Sequence, residues 1–129
     1  MSKTWRTAEA AGNTLAGGAK VAGCTACSGG QKVGFVGNGG TLTFTGVTAA
    51  VAGSYQVAIG YCDGSTTGRQ AVVSVNGGAG QTLTFTPTGS FSTPGTMTVT
   101  LTLVAGTNTI QFGNPTAYAP DFDKISITG

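Results

Sequence analysis

The chain has 129 residues, which is the size of one domain and enough to bury a modest core. Charged residues make up only 8% of it, and the net charge of +2 comes from Lys and Arg residues that are scattered rather than clustered. We therefore expect no nucleic-acid partner and no anionic membrane surface as a partner. No apolar run approaches the roughly 18 residues of a membrane-spanning helix.

Apolar and polar residues alternate along most of the chain, and this period of two predicts β-strands. In chain order, the predicted strands are 32–36, 42–47, 55–62, 70–75, 81–86, 97–104, 108–112 and 123–128. Segments rich in glycine, asparagine and serine separate them and predict turns. Segment 7–13 has some helical character, but it is short and contains glycine. Many short strands without a helix of useful length predict an all-β single domain, a β-sandwich.

Two of the three cysteines lie in the segment GCTACSGG. This spacing is found in redox motifs, in halves of zinc sites and in small disulfide loops. A zinc site would need further ligands, and the chain has no His and no second pair of this spacing. A thioredoxin-like motif would open a helix, and none follows. We therefore predict a disulfide between Cys24 and Cys27, and a buried free thiol at Cys62.

The chain lacks most groups that catalysis requires. It has no His, and its only acidic residues are Glu9, Asp63, Asp121 and Asp123. A glycosidase needs two carboxylates placed across the scissile bond, and Pro120 makes such a pairing of the last two aspartates unfavourable. A serine or cysteine nucleophile would lack its imidazole base. We expect a binding module and not an enzyme.

The same acids suit a calcium site, because calcium takes six to eight oxygen ligands from carboxylates and from backbone carbonyls. Glu9 lies near the start and Asp123 near the end of the chain. First and last strands are often neighbours in sandwiches, so the two carboxylates could meet. The alternative is that each acid is a surface charge or a turn cap.

Several segments resemble one known family in their order and spacing. They are TAEAAGNTLAGGAKV, CTACSGGQKVGFVGNGGTLTF, AGSYQVAIGY, VSVNG and LVAGTNTIQFGNPTAYAPDFDKISI. Together they resemble the carbohydrate-binding modules of family 35, which are related to family 6. The resemblance implies a jelly roll over residues 1–129. The start MSKTW itself suggests that residues 1–3 are a remnant of a linker or of a longer protein.

The resemblance also implies a function. Such modules are non-catalytic, carry calcium as a cofactor and bind polysaccharide or oligosaccharide. They are fused to the catalytic domains of secreted polysaccharide-degrading enzymes. We accordingly expect an extracellular monomer that targets its enzyme to glycans containing galactosyl or uronic acid residues. The sequence leaves open a structural or adhesive β-sandwich that is stabilised by calcium and has no working sugar site.

Individual metal ligands follow from the same resemblance. Glu9 matches the second acid of the family's opening motif, and Asp123 matches the closing aspartate. Thr7 stands where the family has its first acid, so one anionic ligand is replaced by a hydroxyl, a carbonyl or water. Backbone carbonyls are expected from the stretch between Gly30 and Lys32. We expect the ion to stabilise the fold by binding only the native state.

The expected sugar site lies in the loops at one end of the sandwich. Its candidate residues, by their match to family positions or by their place on neighbouring loops, are Tyr118, Asn114, Asp121, Arg69, Asp63 and Phe35. An aromatic ring can stack on the apolar face of a sugar while polar groups bind its hydroxyls. Each candidate also has a structural alternative: a loop-covering ring for Tyr118, a solvated charge for Arg69 and a turn cap for Asn114.

Overall fold

The structure is a computed structural model that describes residues 4–128; the prediction for residues 1–3 lies outside them. Within this range the chain forms eleven strands and one short 3-10 turn at Ser28–Gly30. The strands are β1 (Thr4–Thr7), β2 (Thr14–Ala16), β3 (Lys20–Gly23), β4 (Gln31–Gly34), β5 (Thr41–Ala49), β6 (Gly53–Cys62), β7 (Arg69–Val75), β8 (Gln81–Phe85), β9 (Pro94–Leu103), β10 (Gly106–Gly113) and β11 (Asp121–Thr128).

The strands form two antiparallel sheets. The six-stranded sheet has the order β3-β4-β11-β6-β9, with β1 also paired to β11, and the five-stranded sheet has the order β2-β5-β10-β7-β8. The predicted β-sandwich is confirmed, and segment 8–13 forms turns rather than a helix. No helix among residues 4–128 is long and apolar enough to cross a membrane.

All eight predicted strands exist, but three further strands were not predicted. β1, β2 and β3 have only three or four residues each, which is too short for an alternating pattern to be recognised. The predicted strand 32–36 also ends early, because β4 stops at Gly34 and Phe35 adopts a left-handed backbone conformation with φ of 58°. This change of direction places the Phe35 ring at the end of the sandwich.

Aromatic rings connect the two sheets through the core. The five rings belong to Phe44, Phe112, Phe122, Phe85 and Tyr61 and are buried. Successive centroids along this series lie 5.9, 4.6, 5.8 and 4.8 Å apart, within the range of favourable aromatic pairs. Because the rings come from β5, β10 and β8 on one side and β11 and β6 on the other, they hold the sheets together behind the loops.

The last strand contains a β-bulge. Along the β11–β6 ladder, Phe122 pairs with Tyr61 and Lys124 with Gly60, so Asp123 is an extra residue without a partner. Phe122 and Ile125 are both in the core, although they are three residues apart. The bulge therefore breaks the alternation of the strand, as bulges do, so that two residues instead of one lie between these successive core positions.

The turn after β1 lies against this bulge. The Ala8 N–H donates a 2.8 Å hydrogen bond to the carbonyl of Asp123, which continues the pairing of β1 with β11. The Asn13 amide donates to the carbonyls of Thr7 and Ala8 at 2.9 and 3.1 Å. These bonds fix the turn that carries Glu9 beside Asp123.

Candidate functional site

A pocket of about 340 Å³ opens at the end of the sandwich where β4 ends and β7 and β11 begin. Its walls include the side chains of Lys32, Phe35, Arg69, Phe91, Tyr118 and Asp121. Three of these residues are aromatic and three are charged. The pocket therefore offers apolar faces next to groups that bind hydroxyls or carboxylates.

The outer wall of the pocket consists of two exposed rings. Phe35 and Tyr118 are 52% and 43% exposed and meet edge to face, with centroids 6.0 Å apart. Their loops are joined by backbone hydrogen bonds, including Ala119 N–H to the carbonyl of Val36 at 2.8 Å. A Cβ at Gly37 would lie 2.2 Å from the carbonyl oxygen of residue 117, so only glycine permits this approach.

The charged groups of the pocket are held in place by the protein. Lys32 and Asp121 form an ion pair of 2.7 Å in which the side chains are 9% and 15% exposed. The Lys32 ammonium also donates to the carbonyl of Phe91. The Arg69 guanidinium lies 4.6 Å from the centre of the Phe91 ring and donates to the carbonyl of Ala119 at 3.3 Å. These contacts restrain the cations before any ligand arrives.

Four of the six predicted sugar contacts therefore share one pocket: Tyr118, Phe35, Arg69 and Asp121. Asp63 does not, and its prediction as a sugar contact is wrong. Its carboxylate is fully buried and accepts hydrogen bonds from the N–H groups of Ser65 and Arg69, both at 2.9 Å. Asp63 instead shapes the loop that presents Arg69.

Asn114 also lies outside this pocket. Its amide donates to the carbonyl of Gln70 at 3.0 Å, and its side-chain oxygen accepts from the N–H groups of Thr116 and Ala117. Asn114 thus folds the turn that precedes Tyr118. The structure favours the turn-cap alternative over direct contact within the pocket, although Asn114 borders a shallower neighbouring depression.

Two residues of the pocket were not predicted to face sugar. Phe91 was missed, although an aromatic residue within the turn-rich segment TGSFSTPG was a signal for an exposed ring. Lys32 was assigned to the metal through its carbonyl, and the structure shows that its side chain lines this pocket. Phe91 and Lys32 are far apart in the sequence, so only the tertiary structure brings their side chains together.

The two strongest metal candidates, Glu9 and Asp123, do not line this pocket. The Asp123 carboxylate is buried and accepts a 2.9 Å hydrogen bond from the N–H of Ser28. Burial raises the pKa of Asp123 above its ordinary value, and this hydrogen bond offsets the increase only in part. A Cβ on Gly29 would lie 3.0 Å from Oε2 of Glu9, so both carboxylates border the same turn.

The residues at this turn fit a bound calcium ion. Oε1 of Glu9 is buried and has no hydrogen-bond partner among residues 4–128. A buried, unpaired carboxylate oxygen beside a second buried carboxylate is costly unless a cation neutralises the pair. The available donors are hard oxygens, which suit calcium better than a transition metal. Thr7 lies at the start of the turn that carries Glu9.

The cysteine predictions agree with the structure. Cys24 and Cys27 form a disulfide, and Cys62 is a buried free thiol whose sulfur lies 3.7 Å from that of Cys27. Burial raises the pKa of the Cys62 thiol, and the nearby Lys32 ammonium only partly offsets this effect. The disulfide closes the loop that leads into the Ser28–Gly30 turn.

The fold and these sites define a carbohydrate-binding module, and comparisons with known proteins identify its family. The chain is 36% identical to a family 35 carbohydrate-binding module from Clostridium thermocellum, with a TM-score of 0.96 and 98% of both chains covered. A model described as CBM13-like, an alpha-galactosidase CBM13 domain, matches residues 41–127. The whole-chain match and the two-sheet sandwich are decisive: this chain belongs to family 35 of the carbohydrate-binding modules.

Other similar structures contain sugar ligands. An exo-β-1,3-galactanase from Phanerochaete chrysosporium, crystallised with β-1,3-galactotriose, is 34% identical, with a TM-score of 0.92. The match covers 98% of this chain and 29% of that one. A second structure, a family 35 module in complex with a glucuronic acid-containing disaccharide, is 25% identical, with a TM-score of 0.83 and 97% and 92% of the two chains covered.

Curated relatives are much longer enzymes. An exo-β-D-glucosaminidase from Amycolatopsis orientalis is 40% identical over 63% of this chain, and an endo-1,4-β-xylanase B from Cellvibrio japonicus is 30% identical over 77%. The chain spans only 8% and 18% of these two relatives. The similarity is therefore to one part of each enzyme.

Proposed function

We propose that this module binds a galactosyl residue at the end of a glycan chain, in the pocket between Phe35, Tyr118 and Phe91. The observation that supports this most is the joint presence of exposed rings and restrained charges around a cavity of about 340 Å³. A cavity of that size suits one sugar ring better than a long flat chain.

Two kinds of contact would hold the sugar. The apolar C–H face stacks on the exposed ring of Tyr118, which contributes about 0.5–1.5 kcal/mol for a typical aromatic contact. Hydroxyl groups receive hydrogen bonds from Arg69 and donate to the carboxylate of Asp121. Because both charged groups are already positioned, little ordering is needed on binding. With so few contacts, the affinity is modest.

The identity of the sugar is supported by the relatives. The matching family model is described as part of an alpha-galactosidase, and a 34% identical relative was crystallised with β-1,3-galactotriose. A uronic acid is the second candidate, because Lys32 and Arg69 outnumber Asp121 by one positive charge. A family 35 relative in complex with a glucuronic acid-containing disaccharide also favours this candidate.

The module acts without catalysis and brings a fused catalytic domain to its substrate. The pocket contains one carboxylate, Asp121, already paired with Lys32, so it lacks the two carboxylates of a glycosidase. The similarity to one part of longer carbohydrate-active enzymes supports such a fusion. We further propose that the parent enzyme is secreted, in agreement with the Cys24–Cys27 disulfide, and that the module itself is monomeric.

A calcium ion stabilises the module at a site apart from the sugar. Glu9 and Asp123 supply its carboxylates, and Thr7 with the backbone between Gly30 and Lys32 are the remaining candidate donors. The ion neutralises two acids where the turn after β1 meets β11. This role is structural, and sugar binding does not require the ion to touch the ligand.

Affinity electrophoresis on a panel of polysaccharides tests the proposal. Gels containing galactan or polygalacturonic acid, run with and without EDTA, report the sugar class and the metal dependence. We expect Tyr118→Ala to abolish retardation on galactan. The control is Trp5→Ala, which removes another ring that is 43% exposed but lies outside the pocket.

Three outcomes would change the proposal. Equal retardation of Tyr118→Ala and wild type would remove the pocket assignment. Retardation only on polygalacturonic acid would select the uronic acid candidate. If no glycan retards a folded wild-type protein, the structural or adhesive β-sandwich becomes the better description. Release of reducing sugar from any polysaccharide of the panel would contradict the absence of catalysis.

A further inference from the structure

A second depression adjoins the sugar pocket on the far side of two shared rings. It has a volume of about 220 Å³ and is lined by Lys20, Phe35, Asn38 and Tyr118, together with three glycines. Phe35 and Tyr118 line both cavities. A sugar in the pocket is therefore separated from this depression only by side chains that it would already contact.

The loop that carries Phe35 is held in an uncommon conformation. Phe35 and Asn38 have φ values of 58° and 49°, a left-handed region that few residues other than glycine adopt. Gly37 and Gly40 exchange two backbone hydrogen bonds of 2.9 and 2.8 Å, which close the loop. Strained backbone of this kind concentrates at ligand-binding positions, and here it presents a half-exposed apolar ring to solvent.

The depression also contains a cation with no anionic partner in the described part of the chain. The Lys20 ammonium lies 5.1 Å from the centre of the Phe35 ring, and it forms no ion pair within residues 4–128. Lys32, in the central pocket, is instead neutralised by Asp121. An acidic ligand would therefore find a positive charge at Lys20 that no described carboxylate neutralises, whereas the charge of Lys32 is already neutralised.

The depression on the other side of Tyr118 is a weaker candidate. It measures about 490 Å³, but its polar groups already bind one another. Gln70 donates to the hydroxyl of Thr84 at 3.1 Å, while Asn114 donates to the carbonyl of Gln70 and accepts from the N–H of Thr116. A sugar there would have to displace existing hydrogen bonds, whereas the Lys20 ammonium donates none to residues 4–128.

We propose that the Lys20 depression is a second subsite, which binds the sugar next to the one in the pocket and recognises a carboxylate on it. The preferred ligand is then an oligosaccharide with a neutral galactosyl end followed by a uronic acid. This inference rests on the proposed function, because it requires the pocket to hold the terminal sugar. The rings of Phe35 and Tyr118 would contact both sugars.

Titration calorimetry with three matched probes tests the second subsite. The probes are methyl β-galactoside, β-1,3-galactobiose, and the same disaccharide with C6 of its second residue oxidised to a carboxylate. We expect the acidic disaccharide to bind about two- to five-fold more tightly than the neutral one, as one solvent-accessible ion pair allows. Raising the salt concentration should reduce this advantage.

Lys20→Gln should remove the advantage of the acidic disaccharide and leave methyl β-galactoside binding unchanged. The control is Lys124→Gln, whose ammonium lies 4.3 Å from the Trp5 ring and outside both cavities. The second subsite is wrong if Lys20→Gln keeps the advantage, or if it weakens all three probes equally. It is equally wrong if the wild type binds the two disaccharides with equal affinity.

The same titration separates the second subsite from the galactosyl pocket. If methyl β-galactoside binds and is lost in Tyr118→Ala, the pocket assignment stands whatever the acidic disaccharide does. If none of the three probes binds the wild type, the galactosyl pocket and the second subsite both fail.

Discussion

Asp121 and Asp123 lie two residues apart on β11, yet their surroundings are opposite. Asp121 borders an open pocket and has the Lys32 ammonium at 2.7 Å. Asp123 is 2% exposed and receives one N–H from Ser28, but it forms no ion pair within residues 4–128. The first carboxylate is neutralised by the protein. The second, with Glu9 beside it, has only the weaker electrostatic influence of Lys124.

The segments that approach each carboxylate produce this difference. Lys32 of β4 forms an ion pair with Asp121, whereas Asp123 receives the N–H of Ser28 from the turn that also contacts Glu9. A charge-neutral pair in the pocket can accept hydroxyl groups without needing an ion. The buried Asp123 carboxylate and the buried Oε1 of Glu9, which form no ion pair within residues 4–128, favour a bound cation. We therefore propose that the same residue type serves recognition at one position and stability at the other.

The largest expected effect concerns the metal. At calcium concentrations about one hundred times the dissociation constant, binding to the native state should add about 2.7 kcal/mol to the free energy of unfolding. Asp123→Asn should lose this gain, while Asp121→Asn should keep it. Urea unfolding with calcium and with EDTA measures both. If Asp121→Asn loses the calcium response too, the two aspartates share one ion and the comparison fails.

A smaller loss is expected from the ion pair itself. In EDTA, Asp121→Asn leaves the nearly buried Lys32 ammonium without its counter-charge, which should cost about 2 kcal/mol of unfolding free energy. Adding Lys32→Met should recover part of that loss, because the unpaired charge is removed as well. If Asp121→Asn has the same free energy of unfolding as the wild type, solvent in the pocket already screens the charges of Lys32 and Asp121.

Replacing Phe91, whose ring lies beneath Arg69, should have a smaller effect than the aspartate variants. Phe91→Leu removes the face over which Arg69 lies and should weaken galactan binding by about 0.5–1 kcal/mol. The free energy of unfolding should change little, since Phe91 is only partly buried. Calorimetry measures the affinity, and Phe35→Leu provides a comparison from the opposite wall. If Phe91→Leu binds galactan with wild-type affinity, Phe91 does not contribute to ligand binding in the pocket.

The smallest effect is a dependence of stability on pH in the absence of metal. Burial raises the folded-state pKa of Asp123, so the native state holds this proton more tightly than the unfolded chain does. This stabilising contribution is fully present below the unfolded pKa and is lost as the pH rises through the folded pKa. Asp123→Asn should lack this part of the pH dependence. Measuring the free energy of unfolding in EDTA at several pH values, for the wild type and the variant, tests the prediction.

Much of the fold could be predicted from local pattern. In β9, threonines alternate with apolar residues from Thr96 to Leu103, so the period of two is clear. β2 and β3 have too few residues for any period, and they form only because β5 and β4 offer them an edge to pair with. The bulge at Asp123 has no local signature in the sequence either.

The site was predicted less completely than the fold. The match to family positions suggested Tyr118, Arg69 and Asp121, and a neighbouring loop suggested Phe35; these four residues line one pocket. Their contact with sugar stays a prediction. Asp63 and Asn114 were suggested in the same ways, but their side chains bind loop backbone. Whether a polar side chain faces outward or closes its own loop depends on tertiary geometry, which residue spacing does not contain.

The position of β11 has a consequence for how the chain folds. The last of the eleven strands in sequence lies inside the six-stranded sheet and pairs with β6, β4 and β1. Its register with β1 joins Thr4 to Ile127, at nearly opposite ends of the described chain. That sheet cannot close until the ribosome has released almost the entire domain. Folding should therefore be slow, in the millisecond-to-second range of β-proteins rich in distant contacts.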